Sequence, residues 1–324
     1  MCFDKADRHK RVEHAMVSRM LLLILGLLLM APAAAQSFRV GVLHGDTEIF
    51  DYELSVLKLA LAHAPGDHTL EVVPLPETPQ QRIFAMLDSA WEPINVFFSG
   101  YSPERERRLL QVNIPLTRGL LGYRLMVVKA ERLAELKGVD SLAELRRYRI
   151  GSGIGWPDND VLQANGLEVI TSRYDNLWRM LAMERFDLFH RGVQEIYTEL
   201  ARPEHQQLAI LPGMMVVFPY DYFFYVSVNR PDLHDLLLTG LVNAYNSGAF
   251  MTNFLSHPAI RRALEDGELT SRRVVRLALP ETYQGLDVIP QRYWHAVGEH
   301  PVSFRPATPR ITATTPVVGH SPAD

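Results

Sequence analysis

Cysteine is nearly absent from this sequence, whose 324 residues include one thiol, at Cys2. Residues 20–30 form an unbroken apolar run that follows Arg19 and leads into three alanines at 33–35. This order is typical of a signal peptide, so we predict that residues 1–35 are removed on export. The mature chain would then have no disulfide and no thiol nucleophile. An uncleaved anchor is the alternative, but the run is shorter than the roughly 20 residues that span a bilayer.

An excess of positive charge is also missing. Removal of residues 1–35 takes away five basic and three acidic side chains, which changes the formal net charge from −4 to −6. A mildly acidic protein argues against nucleic acid as a partner. The length of the mature chain favours two domains of ordinary size. Residues 299–324 are rich in Pro, Thr and Ala without an apolar period, which predicts a disordered tail.

Catalytic motifs are absent as well. No pair of histidines has the spacing of a zinc protease, no Gly-x-Ser-x-Gly motif occurs, and no thiol survives maturation. Asp158 and Asp160 are better explained as helix-start residues than as an acid and base pair. We therefore expect a protein without catalytic residues, metal or cofactor.

Hydrophobic periodicity predicts that strands and helices alternate along the chain. Apolar-rich strands at residues 38–43, 70–75 and 94–98 are separated by helical patterns, and a second series of the same kind begins at residue 149. Alternation of this kind predicts mostly parallel sheets covered by helices, which is an α/β fold.

Two extended runs, at residues 123–129 and 222–228, bracket the second series. If the chain leaves the first lobe along one run and returns along the other, the pair acts as a hinge. The other interpretation is that both are ordinary core strands. The hinge topology divides the chain into a first lobe at 36–122, a second lobe at 123–221, and a hinge strand with the return part of the first lobe at 222–298.

Four stretches of the sequence resemble the family 3 extracellular solute-binding proteins, which bind polar amino acids for ABC importers. They match that family's Thr-Pro-Glu-Arg turn with its following strand, its entry to the second lobe, a helix-to-strand junction, and its return strand with the closing helix. In the same order, they are residues 102–105 with 112–116, 141–151, 181–187, and 225–230 with 246–250. The resemblance implies a type II periplasmic-binding fold, in which two lobes joined by two hinge strands close on a ligand.

In that family an arginine of the turn holds the ligand carboxylate. A guanidinium suits this role because it can donate two parallel hydrogen bonds to a carboxylate. Arg105 matches the position by motif, whereas counting back from Val112 points to Arg108. The other interpretation is that Arg105, Arg107 and Arg108 form a solvated basic face.

The glycine-rich turn at residues 151–155 lies between a predicted strand and a predicted helix, so its amides are placed to bind an anion. Gly155 and Trp156 match the ligand-contact turn of the family, although Trp156 and Pro157 replace the hydroxyl donors usual there. Stacking of Trp156 on a ligand and plain packing are both open interpretations.

In the second lobe the family has an aspartate that holds the ligand ammonium, and Gly192 stands at that position here. Arg191 is its neighbour, so we expect a cleft that is basic from both lobes and an anionic ligand without an α-amino group. A salt bridge between Arg191 and Glu195 is the alternative. His190 is better explained as a structural histidine at a strand end than as a proton shuttle.

The resemblance thus predicts a periplasmic protein, monomeric, that captures a small polar and anionic ligand for a membrane permease. A sensor subunit for a membrane signalling protein is one alternative, and a lyase with the periplasmic-binding fold is another. The residues expected to bind the ligand are Arg105, Arg108, Gly155, Trp156, Arg191 and Gly192.

Overall fold

The computed structural model describes residues 35–76, 78–89, 93–297 and 300–301. The predicted signal peptide, apart from residue 35, and residues 302–324 of the predicted tail lie outside these ranges. The strands are β1 Ser37–Leu43, β2 Thr69–Leu75, β3 Phe97–Gly100, β4 Leu109–Gln111, β5 Tyr123–Lys129, β6 Arg149–Gly153, β7 Glu168–Ser172, β8 Leu188–Gly192, β9 Leu208–Ile210, β10 Met214–Val217, β11 Tyr222–Ser227, β12 Arg273–Arg276, β13 Ala296–Val297 and β14 His300–Pro301.

The α-helices are α1 Asp51–His63, α2 Gln80–Leu87, α3 Pro103–Arg108, α4 Leu133–Leu136, α5 Leu142–Leu145, α6 Asp158–Ala164, α7 Tyr174–Ala182, α8 Ile196–Leu200, α9 Pro231–Asn246, α10 Ala249–Ser256 and α11 Pro258–Glu265. Short 3-10 helices cover Leu120–Gly122, Ala130–Arg132, Pro203–His205, Glu281–Leu286 and Gln291–Tyr293.

The first lobe is built on a parallel pair of strands that three further strands extend. β1 pairs with β2 in parallel along its whole length, and Val40 bridges Val96 just before β3 begins. β11 lies antiparallel between β3 and β4. Every residue of β3 is buried, because helix α2 packs on β3 and helix α9 packs on β11 next to it. Burial on both faces accounts for the two consecutive apolar residues, Phe97 and Phe98, at its start.

The second lobe has its own sheet, with the strand order β12-β10-β5-β8-β6-β7 and with β9 paired to β5. β6 is parallel to β7 and β8, whereas β5 is antiparallel to β8 and β10. β12 falls within the stretch that the sequence analysis returned to the first lobe, yet it pairs in parallel with β10. Its four residues, with arginine at both ends, carry too short an apolar period to be recognised from sequence.

The chain crosses between the lobes in two adjacent segments. The amide of Leu116 donates to the carbonyl of Tyr222, and the amide of Phe218 donates to the carbonyl of Gly122. A Cβ atom at Gly122 would lie 2.1 Å from the carbonyl oxygen of Phe218, so only glycine fits this contact. The crossing segments, residues 116–122 and 218–222, end where the two predicted hinge runs begin. The runs themselves part, because β5 belongs to the second sheet and β11 to the first.

A third link between the lobes follows β12. The side-chain amide of Asn165 exchanges two hydrogen bonds with the backbone of Ala278, at 2.8 and 3.0 Å, in the second lobe. The hydroxyl of Tyr283 then donates to the carbonyl of Pro157 at 3.0 Å, while its ring lies 5.4 Å from the ring of Tyr101 in the first lobe. Tyr283 thus contacts both lobes beside the cleft.

Candidate ligand-binding cleft between the lobes

Two cavities lie between the lobes. The outer cavity has a volume of about 240 Å³ and lies between helices α2 and α3 of the first lobe and residues 155–160 of the second. The inner cavity, deeper in the cleft, has a volume of about 20 Å³, which is room for a single water molecule. Trp156 and Pro157 line both cavities and separate them.

The position of Arg105 is set by the start of helix α3. Ser102 caps this helix by accepting a hydrogen bond from the amide of Arg105, and Pro103 occupies the first turn, where its missing N–H costs nothing. These local rules orient the first turn of a six-residue helix. The Arg105 side chain consequently points into the cleft, and only 8% of its surface is exposed.

The guanidinium of Arg105 donates hydrogen bonds to both lobes. In the first lobe its Nη1 donates to Ser99 Oγ at 2.9 Å and to the Gly100 carbonyl at 2.6 Å, and its Nη2 donates to Gln80 Oε1 at 2.6 Å. In the second lobe Nη2 donates to the Gly155 carbonyl at 3.2 Å. The guanidinium therefore joins the two walls of the cleft.

The charge of Arg105 has no opposite charge beside it. Its four acceptors are neutral, and the ring of Phe84 lies 4.5 Å from its guanidinium carbon. Among the residues that the structure describes, no carboxylate forms an ion pair with it. A buried cation without a counter-charge is unfavourable, so a negative charge at this wall of the outer cavity would stabilise it.

Arg108 also lines the outer cavity, at its rim. Half of its side chain is exposed, and it pairs with Glu104 at 3.5 Å. Arg107 is exposed and lines neither cavity. The two candidates that the sequence left open, Arg105 by motif and Arg108 by spacing, thus face the same cavity.

Gly155 and Trp156 form the second-lobe side of the outer cavity. Gly155 has a φ of 74°, which glycine adopts without strain, and this turn directs its carbonyl at Arg105. The amides on either side are not available to an anion, because Ile154 donates to Ser172 and Trp156 donates to Gly153. Binding of an anion by the other amides of the turn at residues 151–155 stays a prediction.

The Trp156 indole is half-buried and packs on the second lobe. Its ring is stacked 6.3 Å from that of Phe189, and the guanidinium carbon of Arg191 lies 5.0 Å from the indole centroid. A Cβ atom at Gly153 would come within 2.2 Å of the indole, so this glycine makes room for it. Packing holds one part of the indole while another part faces the cavities.

Arg191 is paired within the protein. Its Nε and Nη2 donate to the carboxylate of Glu199 at 2.6 to 3.0 Å, and Nη2 lies 2.9 Å from Glu195. All three side chains are almost fully buried. The expected excess of positive charge on this wall is therefore wrong, because two carboxylates offset one guanidinium. The ligand-binding role of Arg191 stays a prediction.

Gly192 leaves space that Glu195 occupies. The Gly192 amide donates to Glu195 Oε2 at 3.2 Å, and the other oxygen of that carboxylate accepts from the Tyr222 hydroxyl at 2.6 Å. Glu195 follows Gly192 by three residues, and its side chain folds back over the turn. A carboxylate is thus present near the position of the missing family aspartate, but its oxygens already have donors.

The inner cavity contains a buried ion pair that the sequence analysis did not identify. Arg124, from strand β5, pairs with Asp158, and the hydroxyl of Tyr220 and the Nε of Arg124 have no hydrogen-bond partner among the described residues. Asp158 begins helix α6, as predicted, but only 4% of its surface is exposed. The sequence feature that could have identified Arg124 as part of the site is its charge, since the predicted strand around it is otherwise mostly apolar.

His190 lies beneath this ion pair and is fully buried. Its Nε2 lies 3.0 Å from the hydroxyl of Ser152. Burial, followed by the charges of Arg124 and Arg191, lowers the pKa of His190 well below its usual value. The ring is therefore neutral near pH 7, which suits a structural histidine.

Within residues 35–76, 78–89 and 93–297, no group of three or more His, Cys, Asp or Glu side chains is placed to hold a metal ion. In the same part of the chain, no helix is long and apolar enough to cross a membrane.

Solved structures share this arrangement of two lobes and a cleft. One is an amino acid ABC transporter substrate-binding protein, AbpA, from Streptococcus pneumoniae bound to L-arginine. It is 15% identical, and the match covers 71% of this chain and 96% of that one with a TM-score of 0.52. Another, described for glutathione import through GshT and the cystine ABC importer TcyBC of Streptococcus mutans, is 16% identical over 69% and 95% of the two chains, with a TM-score of 0.51.

The chain has the type II periplasmic-binding-protein fold. A histidine kinase sensor domain with similarity to periplasmic binding proteins shares the fold at 13% identity, over 67% of this chain and 93% of that one, with a TM-score of 0.50. No protein-family model matches the sequence, and no curated protein matches it. The periplasmic-binding fold thus occurs here with a sequence that has diverged far from these structures, as the low identities indicate.

Proposed function

We propose that the protein is an exported solute-binding protein that captures a small anion between its two lobes and delivers it to a membrane importer. The sequence resemblance, the fold and the predicted signal peptide support this role. The two structures from Streptococcus described above belong to ABC import systems, and the periplasmic-binding fold closes on ligands by hinge motion.

The single observation that supports an anionic ligand is the environment of Arg105. Its guanidinium is buried at the boundary of the lobes, lines a cavity of about 240 Å³ and contacts only neutral groups. A carboxylate in that cavity would supply the missing opposite charge, and it could replace Gln80 or Gly155 as an acceptor of Nη2. Arg108 at the rim would attract the anion as it enters.

The carboxylates of the cleft indicate that the ligand has no ammonium group. Asp158 is paired with Arg124, and Glu195 is held by Arg191, Gly192 and Tyr222. Neither of these two carboxylates is without a partner, so neither would offset the unfavourable desolvation of a ligand ammonium.

A thermal-shift screen of the purified protein against organic acids, amino acids and polyamines tests this proposal. A ligand that binds only the folded state at one site raises the free energy of unfolding by about 2.7 kcal/mol at a hundredfold excess over its Kd. We expect organic acids to raise the melting temperature in a saturable manner at constant ionic strength. Stabilisation by polyamines or amino acids alone would contradict capture of a simple anion.

A sensor role is the second candidate, and the similarity to a histidine kinase sensor domain favours it. Deletion of the gene separates the two roles. Loss of uptake of the labelled ligand supports delivery to an importer, whereas intact uptake with loss of a ligand-dependent transcriptional response supports a sensor.

We expect no chemical change in the ligand. The outer cavity holds no pair formed by a nucleophile and a base among the described side chains, and His190 lies buried behind the inner cavity rather than in the outer one. Proton NMR of the ligand after long incubation with the protein checks this, and turnover would support the lyase alternative.

A further inference from the structure

The outer cavity is lined by apolar side chains as well as by Arg105, Arg108 and five other polar residues, which are Gln81, Ser102, Glu104, Asn159 and Asp160. Phe84 and Leu109 line it from the first lobe, and Trp156 and Pro157 line it from the second. Two of these four side chains are aromatic, one on each lobe. A cavity with a buried cation and facing aromatic walls suits a ligand that is itself partly apolar.

The volumes of the two cavities decide where the body of a ligand can lie. The inner cavity, at about 20 Å³, admits only a water-sized group. The outer cavity, at about 240 Å³, exceeds the roughly 150 Å³ that suffices for a benzene ring in an apolar protein cavity. A ring and a carboxylate therefore fit together in the outer cavity without any change in the inner one.

Polar groups at the rim do not favour a cationic substituent on such a ligand. Glu104 is exposed and paired with Arg108, and the exposed Asp160 accepts a hydrogen bond from Tyr283 at 3.3 Å. Both carboxylates face water, where an ion pair with a ligand ammonium contributes little.

We propose that the ligand is an aryl carboxylate without an amino group, whose carboxylate meets Arg105 and whose ring lies between Phe84 and Trp156. This inference rests on the proposed capture of an anion at Arg105 and names the class of that anion. Closure of the lobes buries the ring, because its two aromatic walls belong to different lobes.

Titration calorimetry with four matched probes tests the class. The reference is 3-phenylpropionate. Propionate lacks only its ring, 3-phenylpropanamide lacks only its charge, and phenylalanine adds only an ammonium. We expect 3-phenylpropionate to bind at least tenfold more tightly than each of the other three, because each loses one of the interactions described above.

Variants of the two aromatic walls test where the ring of the ligand lies. We expect Trp156→Leu and Phe84→Leu each to reduce the preference for 3-phenylpropionate over propionate at least fivefold. Tyr148→Leu is the matched control, since this half-buried aromatic side chain of the second lobe lines neither cavity. It should leave both affinities unchanged. Circular dichroism verifies that the wall variants are folded.

The possible results separate this inference from the proposed function. Equal affinity for propionate and 3-phenylpropionate overturns the aryl class but keeps anion capture. Tighter binding of phenylalanine than of 3-phenylpropionate contradicts the proposal that the ligand has no ammonium group. If the amide binds as tightly as the carboxylate, or if no carboxylate binds, both the inference and the anion-capture proposal fail.

Discussion

The guanidinium of Arg105 in the first lobe donates a hydrogen bond of 3.2 Å to the carbonyl oxygen of Gly155 in the second lobe. The glycine carbonyl reaches this position because its residue adopts a φ of 74°. One charged side chain therefore contributes both to the contact between the lobes and to the wall of the outer cavity. The proposed binding of an anion would therefore involve a group that also joins the two lobes.

Replacement of Arg105 should weaken anion capture selectively. We expect Arg105→Gln to reduce the affinity for the best organic acid of the thermal-shift screen by more than tenfold, since loss of one partner of a buried charge pair costs 2 kcal/mol or more, on the order of 2–5. Arg107→Gln is the matched control, because Arg107 is exposed on the same helix and lines neither cavity. Calorimetry measures both, and equal affinities in the two variants would contradict the role of Arg105.

Replacement of Arg191 should mainly affect stability. In Arg191→Met the buried carboxylates of Glu195 and Glu199 lose their cation, which typically costs about 3–5 kcal/mol. We expect urea unfolding to show a loss of this size. The double variant Arg191→Met with Glu199→Met should recover part of it, because one of the unpaired charges is gone. A single variant as stable as the wild type would show that this pair is not important for folding.

Substitution at the crossing between the lobes tests the close contact of Gly122. A methyl group there would lie 2.1 Å from the Phe218 carbonyl oxygen, so the two crossing segments must separate. We expect Gly122→Ala to lower the free energy of unfolding by about 1–3 kcal/mol. Gly138→Ala is the control, since a Cβ there meets no atom within 4 Å, and its stability should change by less than about 0.5 kcal/mol. Similar values for both variants would argue against the close contact.

Stability should depend on pH through Asp221, at the crossing. Its carboxylate accepts hydrogen bonds from Thr117, Gly119 and Tyr222. Burial outweighs these bonds and raises the pKa of Asp221 to about 7, against about 3.9 in an unfolded chain. The folded state thus holds the extra proton between these two values. The contribution of Asp221 is complete below about pH 4 and falls as the pH rises to 7, by at most about 1.4 kcal/mol per unit.

Urea unfolding of the wild type and of Asp221→Asn between pH 4.5 and 7.5 measures this contribution, with the pH range set by the shifted pKa. Other ionisable groups titrate equally in both proteins, so the difference in free energy between them isolates Asp221. We expect the wild type to lose stability relative to the variant as the pH rises. A difference that does not change with pH would show that Asp221 keeps one protonation state throughout.

Much of the order of elements could be predicted from local pattern. The strands predicted at residues 38–43 and 70–75 are β1, Ser37–Leu43, and β2, Thr69–Leu75. The apolar period is a property of neighbouring residues, so it can be recognised without tertiary contacts. The short strand β12 lacked such a signal and was missed.

The candidate site could be predicted only in part. A motif indicated Arg105, and the structure does place it in the cleft, but the same reasoning could not show that Arg191 is neutralised. Glu199 lies eight residues from Arg191, on helix α8, and its carboxylate reaches the guanidinium at the end of β8 only in the folded chain. Arg124 was predicted only as part of a hinge strand, and its partner Asp158 lies on a helix that begins 34 residues later.

The sequence by itself determined the alternation of strands and helices, because this depends on local periodicity, and its resemblance to a known family indicated the two-lobed type II fold and the first candidate arginine. Only the tertiary structure decided which charges are balanced and which are not. Pairing between distant residues sets the electrostatics of a buried site. That pairing leaves Arg105 without a carboxylate and gives Arg191 two.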